Sequence, residues 1–151
     1  MLLKIFTDGG ARGNPGPGGI GVVFSLPSGE VVLRFGKPVG IVTNNIAEYL
    51  AVEKGLELLP EYLKKNSSTI KRVEFYLDSL LVVNQINGLF KVKNGDLQKM
   101  LLRIRSREAS LTLDPVYKNI PREKNEEADQ LVNEVLDRGE EIFWEKGSSN
   151  P

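Results

Sequence analysis

Leu2-Leu3-Lys4-Ile5-Phe6-Thr7-Asp8-Gly9-Gly10-Ala11-Arg12-Gly13-Asn14-Pro15-Gly16-Pro17-Gly18-Gly19 is the stretch on which the fold reading turns. A short apolar run stops at an aspartate and two glycines, which predicts a strand ending in a turn. The Gly- and Pro-rich residues 13–19 that follow predict an irregular loop. Two more β-rich runs, residues 20–26 and 30–35, flank Pro27-Ser28-Gly29, the composition of a hairpin turn. Three strands with short connections predict an antiparallel meander. Gly16-Pro17-Gly18-Gly19-Ile20-Gly21 formally fits the GxGxxG dinucleotide fingerprint. It leads into Val22-Val23-Phe24 rather than opening a helix, so that chemistry is rejected.

Beyond the meander the period changes. Val52, Leu56, Leu59 and Leu63 recur at spacings of three and four, predicting a helix over residues 45–64 with Asn45 as its N-cap. Residues 72–77 then read as a strand, and residues 79–87 and 97–107 as helices. Residues 111–117 read as a strand containing Pro115, hence an edge or a bulge. A last helix over residues 126–138 places Leu131, Val132, Val135 and Leu136 on one face. The order β-β-β-α-β-α-α-β-α predicts an α/β domain, residues 1–139, with a five-stranded mixed sheet flanked by helices. Residues 140–151 show no periodicity and are expected to form a partly disordered tail.

The chain has 151 residues, 40% hydrophobic and 26% charged, which suits one soluble globular domain. It contains no histidine and no cysteine. Ser-His-Asp and Cys-His mechanisms, His- or Cys-ligated metals and disulfides are therefore excluded, and acid–base or metal chemistry must run on carboxylates. No segment approaches the ~20 apolar residues of a membrane span, and the N-terminus has no signal-peptide core. These features predict a cytoplasmic monomer. Twenty basic and twenty acidic side chains cancel, yet they are unevenly spread. Residues 91–107 hold six basic groups and one acid, either a solvated helix face or a phosphate-binding surface hidden by the zero net charge.

Four carboxylates stand where apolar residues would be expected. Asp8 ends the first strand in register with Phe6, and Glu48 extends the apolar stripe of its helix four residues before Val52. Asp78 follows the strand Val73-Glu74-Phe75-Tyr76-Leu77, and Asp129 lies three before Val132 on or beside the buried stripe. Each also has a local reading. Asn45-x-x-Glu48 resembles a capping box, Asp78 could cap the next helix, Asp8-Gly9 is an ordinary turn, and Asp129 could simply flank its stripe. Together they could converge. Unpaired, such a cluster would repel and raise its own pKa values, whereas two divalent cations would match its charge. Oxygen ligands alone select a hard cation, Mg²⁺ or Mn²⁺.

These residues resemble the type 1 ribonuclease H family. The matching pieces are the stretch from Thr7 to Gly19, then Thr43-Asn44-Asn45-Ile46-Ala47-Glu48-Tyr49, Leu77-Asp78-Ser79 and Val83-Asn84-Gln85-Ile86-Asn87-Gly88. Pro121-Arg122-Glu123-Lys124-Asn125-Glu126-Glu127-Ala128-Asp129 completes the series. They occur in the family's order and span residues 4–138. The resemblance implies a ribonuclease H fold and endonucleolytic hydrolysis of the RNA strand of RNA–DNA hybrids, leaving 5′-phosphate and 3′-hydroxyl ends. It maps the family's four acidic positions onto Asp8, Glu48, Asp78 and Asp129, holding two Mg²⁺ ions, or Mn²⁺ as substitute. It implies Asp8 as the shared ligand, Glu48 and Asp78 on the leaving-group side, and Asp129 on the nucleophile side. Asn14, Asn44 and Asn45, with backbone near Arg12, would read 2′-hydroxyls in the minor groove. Thr43 would grip a phosphate of the DNA strand, and Lys91 and Lys93 would hold the backbone.

The chain also departs from the family. The loop histidine of many members is missing, as in an archaeal- or retroelement-like branch, and Arg122 is the expected substitute through phosphate contact. Leu80 stands where Gln is frequent, and there is no room between Gly88 and Leu97 for an extended basic protrusion. Double-stranded RNA remains a second possible substrate, since its 2′-hydroxyls satisfy the same groove contacts. A hybrid-binding module without activity is disfavoured, because a pure binder gains nothing from acids facing phosphate.

Overall fold

The structure, a computed structural model, describes residues 1–66 and 69–147. Strands β1 (Leu2–Ala11), β2 (Gly16–Ser25) and β3 (Val31–Val42) form the antiparallel meander, followed by helix α1 (Asn44–Asn66). Next come β4 (Arg72–Leu77), α2 (Leu80–Ile86), α3 (Gly95–Ala109), β5 (Val116–Asn119), a 3₁₀ turn (Arg122–Lys124), α4 (Glu126–Arg138) and β6 (Ile142–Glu145). The sheet runs β5-β4-β1-β2-β3-β6, with β4 parallel to both β1 and β5. The α/β architecture and the mixed sheet agree with the expectation from sequence. The strand count is six rather than five.

The sixth strand comes from the segment expected to be an unstructured tail. β6 pairs antiparallel with β3, from Leu33↔Glu145 to Gly36↔Ile142. It is held by a Phe35–Phe143 edge contact at 6.4 Å and by the Lys65–Glu145 ion pair at 3.2 Å. Four residues with Phe143 and Trp144 half exposed are too few to show an alternation, which is why the sequence hid them. Residues 148–151 of that tail lie outside the described residues. β5 is likewise shorter than its predicted span and begins only after Pro115, which has no N–H to give a ladder.

The glycine-rich stretch is also more regular than expected. β1 continues through Gly9 and Gly10, and β2 already begins at Gly16, leaving a short connection closed by the Arg12 N–H to Pro17 carbonyl bond at 2.9 Å. Two glycines explain the design. A Cβ on Gly9 would lie 2.3 Å from the carbonyl oxygen of Ala47 in α1, and one on Gly21 would lie 2.3 Å from that of Ala128 in α4. These strand glycines let helix backbones press onto the sheet, one on each face.

Leu3, Ile5, Phe24 and Phe75 form the larger core with Val52, Leu56 and Leu59 of α1, while Val23, Ala128 and Leu131 form a smaller one under α4. Polar locks fix the helices to each other. Buried Tyr49 of α1 donates to Gln85 Oε1 of α2 at 2.7 Å, and buried Glu53 of α1 receives Arg103 and Arg107 of α3.

Candidate metal centre

The parallel pairing of β1 and β4 ends at Phe6↔Tyr76. Asp8 and Asp78 each lie two residues beyond that pair, so neighbouring strands deliver two carboxylates to the same end of the sheet. Asp8 follows Phe6 on the α4 face by the period of two, and its cross-strand partner is Gly21. The bare Gly9 lets the first turns of α1 approach, which brings Glu48 down onto Asp8. One carboxylate oxygen from each of Asp8, Glu48 and Asp78 falls within 4.8 Å of the others. Asp129, in the first turn of α4, is not within that tight trio but lines the same cleft as Asp8 and Glu48.

The capping readings of Glu48 and Asp78 do not hold. Thr43, not Asn45, caps α1, its Oγ1 accepting the Ile46 N–H at 3.2 Å, so Glu48 belongs to no capping box. Ser79 caps α2, accepting the Val82 N–H at 3.3 Å, which frees Asp78 from that role.

Electrostatics mark the cluster as incomplete by itself. Asp8 is 6% and Glu48 8% exposed, and neither forms an ion pair among the described residues. Arg12, which lines the cleft, pairs with Asp137 at 2.7 Å instead. Burial, followed by the charges of Asp78 and Asp129, pushes the Asp8 carboxyl up to about 7. Burial, then Asp8 and Asp78, holds Glu48 well above the usual carboxylate range. Glu48 Oε2 is buried without a hydrogen-bond partner. An orphaned carboxylate oxygen in an all-oxygen donor set fits a hard divalent cation, which would compete with the proton that burial favours on Asp8 and Glu48.

A second hollow adjoins the first through Asn44 and Asn45 and is also lined by Asn14 and Thr43. Asn14 Oδ1 accepts the Asn44 N–H and Asn44 Oδ1 accepts the Ala11 N–H, both at 2.9 Å. The two amides are thereby oriented with their NH₂ groups left to donate. Sequence reasoning missed Asn94, which lines this hollow from the start of α3. Its Oδ1 caps that helix by accepting from Asp96 and Leu97, and an Asn before a helical run was the available signal.

A family described as reverse transcriptase-like matches residues 6–135. Ribonuclease HI of Halobacterium salinarum is 36% identical over 136 residues, covering 89% of this chain and 64% of that protein. LC11-RNase H1, isolated from compost by a metagenomic approach, superposes with a TM-score of 0.85 at 41% identity, covering 91% of this chain and 97% of the other. The chain belongs to the ribonuclease H family. LC11-RNase H1 has also been solved in complex with an RNA/DNA hybrid, and that structure matches with a TM-score of 0.83. A bifunctional protein of Mycobacterium tuberculosis is 36% identical over 138 residues, and the match spans 36% of its length.

The remaining predicted residues of this family member divide. Arg122 opens the 3₁₀ turn, is exposed, and lines the carboxylate cleft. Lys91 and Lys93 are exposed on the connection between α2 and α3 and line neither hollow. The basic run is not one surface. Arg103 and Arg107 are spent on Glu53, and Arg105 bridges Glu108 at 3.0 Å and the Ile86 carbonyl. Lys91, Lys93 and Lys99 are the members of the run without an ion pair among the described residues.

Proposed function

We propose that this chain hydrolyses the RNA strand of RNA–DNA hybrids with the help of bound Mg²⁺, with Mn²⁺ as a substitute. The observation that carries the reading is the trio of buried Asp8, buried Glu48 and half-buried Asp78, in which none of the three forms an ion pair among the described residues, beside a cleft lined with amide groups. When bound, the cations supply Lewis-acid activation of the attacking water and offset charge at the scissile phosphate. Asp8, Glu48, Asp78 and Asp129 would hold two such ions, Asp8 serving both, Glu48 and Asp78 serving the leaving 3′-oxygen and Asp129 serving the water. The catalytic residues fall within residues 1–139, and the domain's sheet runs on to β6.

The chain's own groups position the duplex. The free NH₂ groups of Asn14 and Asn44, with Asn45 and the backbone near Arg12, face a minor groove and select strands that carry 2′-hydroxyls. Thr43 offers its hydroxyl proton to a phosphate of the DNA strand, and Arg122 contacts phosphate beside the carboxylates in place of the missing histidine. Lys91 and Lys93 add nonspecific backbone attraction. None of the described helices is long and apolar enough to cross a membrane. A cytoplasmic monomer suits a hybrid substrate.

The reading is tested by incubating the protein with labelled RNA–DNA, RNA–RNA, DNA–DNA and single-stranded substrates, in Mg²⁺ or in chelator. Mg²⁺-dependent loss of the RNA strand of the hybrid is expected, and slower RNA–RNA cleavage would extend the substrate class. Cleavage of DNA–DNA at a comparable rate would overturn the proposal.

A further inference from the structure

Asn125 is 1% exposed and sits between the 3₁₀ turn and α4. Its Nδ2 donates to the Thr7 carbonyl at 2.9 Å and to Asp78 Oδ2 at 3.3 Å. Its backbone carbonyl accepts the Asp129 N–H at 3.1 Å, and its own N–H bonds the Arg122 carbonyl at 2.9 Å. One residue therefore touches the strand beside Asp8, the carboxylate of Asp78, the amide of Asp129 and the turn that begins with Arg122.

The chemistry of this contact is specific. Both partners of Nδ2 are acceptors, so a flipped amide would set Oδ1 against two oxygens, and the orientation is fixed. Oδ1 is then buried without a partner. A buried unpaired acceptor works against folding, so stability alone does not account for an amide here. The donor is also neutral. A Lys or Arg in its place would satisfy the same oxygens while cancelling negative charge that the cations must meet.

We propose that Asn125 is a positioning residue for the cation site, fixing the Asp78 carboxylate against β1 and the start of α4, including Asp129. The proposal rests on reading the carboxylates as that site. Outer partners of metal ligands typically matter by about 10–100-fold in metal affinity or activity.

The full chain carrying Asn125→Ala is compared with wild type by hybrid cleavage, by Mg²⁺ titration, and by melting in chelator and in Mg²⁺. A fall in kcat of about 10–100-fold is expected, with KM for the hybrid unchanged and the half-saturating Mg²⁺ concentration raised. The rise in melting temperature produced by Mg²⁺ alone should shrink. Asn125→Ser, which keeps one donor, should fall between, and it decides the matter if the Ala variant does not fold. A lowered melting temperature in chelator with kcat and Mg²⁺ dependence intact would reduce Asn125 to a structural brace and overturn the proposal. Failure of wild type to cleave hybrid would instead sink the ribonuclease reading, and the Mg²⁺ melting shift would still judge Asn125.

Discussion

Replacing Asp8 by Asn should abolish cleavage and, in chelator at pH 8, make the protein more stable than wild type. Burial and neighbouring charge lift the folded-state pKa of Asp8 from its ordinary 3.8 to about 7. The folded protein thus holds this proton when the unfolded chain has released it. The stability linked to it is fully present below 3.8 and is lost as pH rises through about 7. At 1.36 kcal/mol for each pH decade, ionising Asp8 inside the fold costs about 4 kcal/mol by pH 8. Asn keeps the shape and removes the charge. Part of the gain is lost because the Asp8 contact to Glu48 changes with it, so about 4 kcal/mol is an upper figure. For a chain of this size each kcal/mol moves the melting temperature by about 2–4 °C. The variant should therefore melt several degrees above wild type at pH 8, with the difference closing toward pH 4. Mg²⁺ should raise the wild-type melting temperature and leave the variant nearly unmoved. Equal melting of the two proteins at pH 8 in chelator, or a gain that does not depend on pH, would refute the electrostatic argument.

Other outcomes follow from the same geometry. Gly21→Ala puts a Cβ 2.3 Å from the Ala128 carbonyl oxygen and must displace α4, so urea denaturation should show about 1–3 kcal/mol of lost stability. Cleavage should fall with it, because Asp129 rides on that helix. Arg122→Ala should lower turnover or substrate affinity while leaving the Mg²⁺-induced melting shift unchanged; unaltered kinetics would remove Arg122 from the mechanism. Replacing Lys91 and Lys93 together by Ala should raise KM and flatten its log–log salt dependence by about two if each meets a phosphate, with kcat unchanged. A solvated-face role for these lysines predicts no change in either quantity.

The site was legible where local rules suffice. The period of two put Asp8 with Phe6, and the helical stripe put Glu48 with Val52, so two acids on buried faces could be found without coordinates. The meander and the helix order were readable for the same reason, and so was an edge position for β5, although the strand starts after Pro115 instead of containing it. Gly16 to Gly19 misled because glycine marks both loops and close approach, and only the fold tells them apart: Gly18 meets Val39 and Val42 of β3, and Gly19 meets Val135 and Leu136 of α4. Residues 142–145 gave no period because four half-exposed residues at a sheet edge show none. The basic run could not reveal that three of its arginines answer to Glu53, Glu108 and Ile86, partners fixed by helix packing. Asn125 carried neither charge nor period, and its importance lies in contacts to Thr7 and Asp78 that are remote in sequence.

The most direct test of the central claim is the chemistry of the cut ends. A hybrid with its RNA strand labelled at either end should be cut only when Mg²⁺ is present, giving 5′-phosphate and 3′-hydroxyl ends and an intact DNA strand. Those ends require water as the attacking group, activated at the carboxylate cluster. RNA fragments ending in 2′,3′-cyclic phosphate would mean that the 2′-hydroxyl attacks instead, and cleavage that persists in chelator would mean that no divalent cation is needed. Either result would contradict a cation site built from Asp8, Glu48, Asp78 and Asp129.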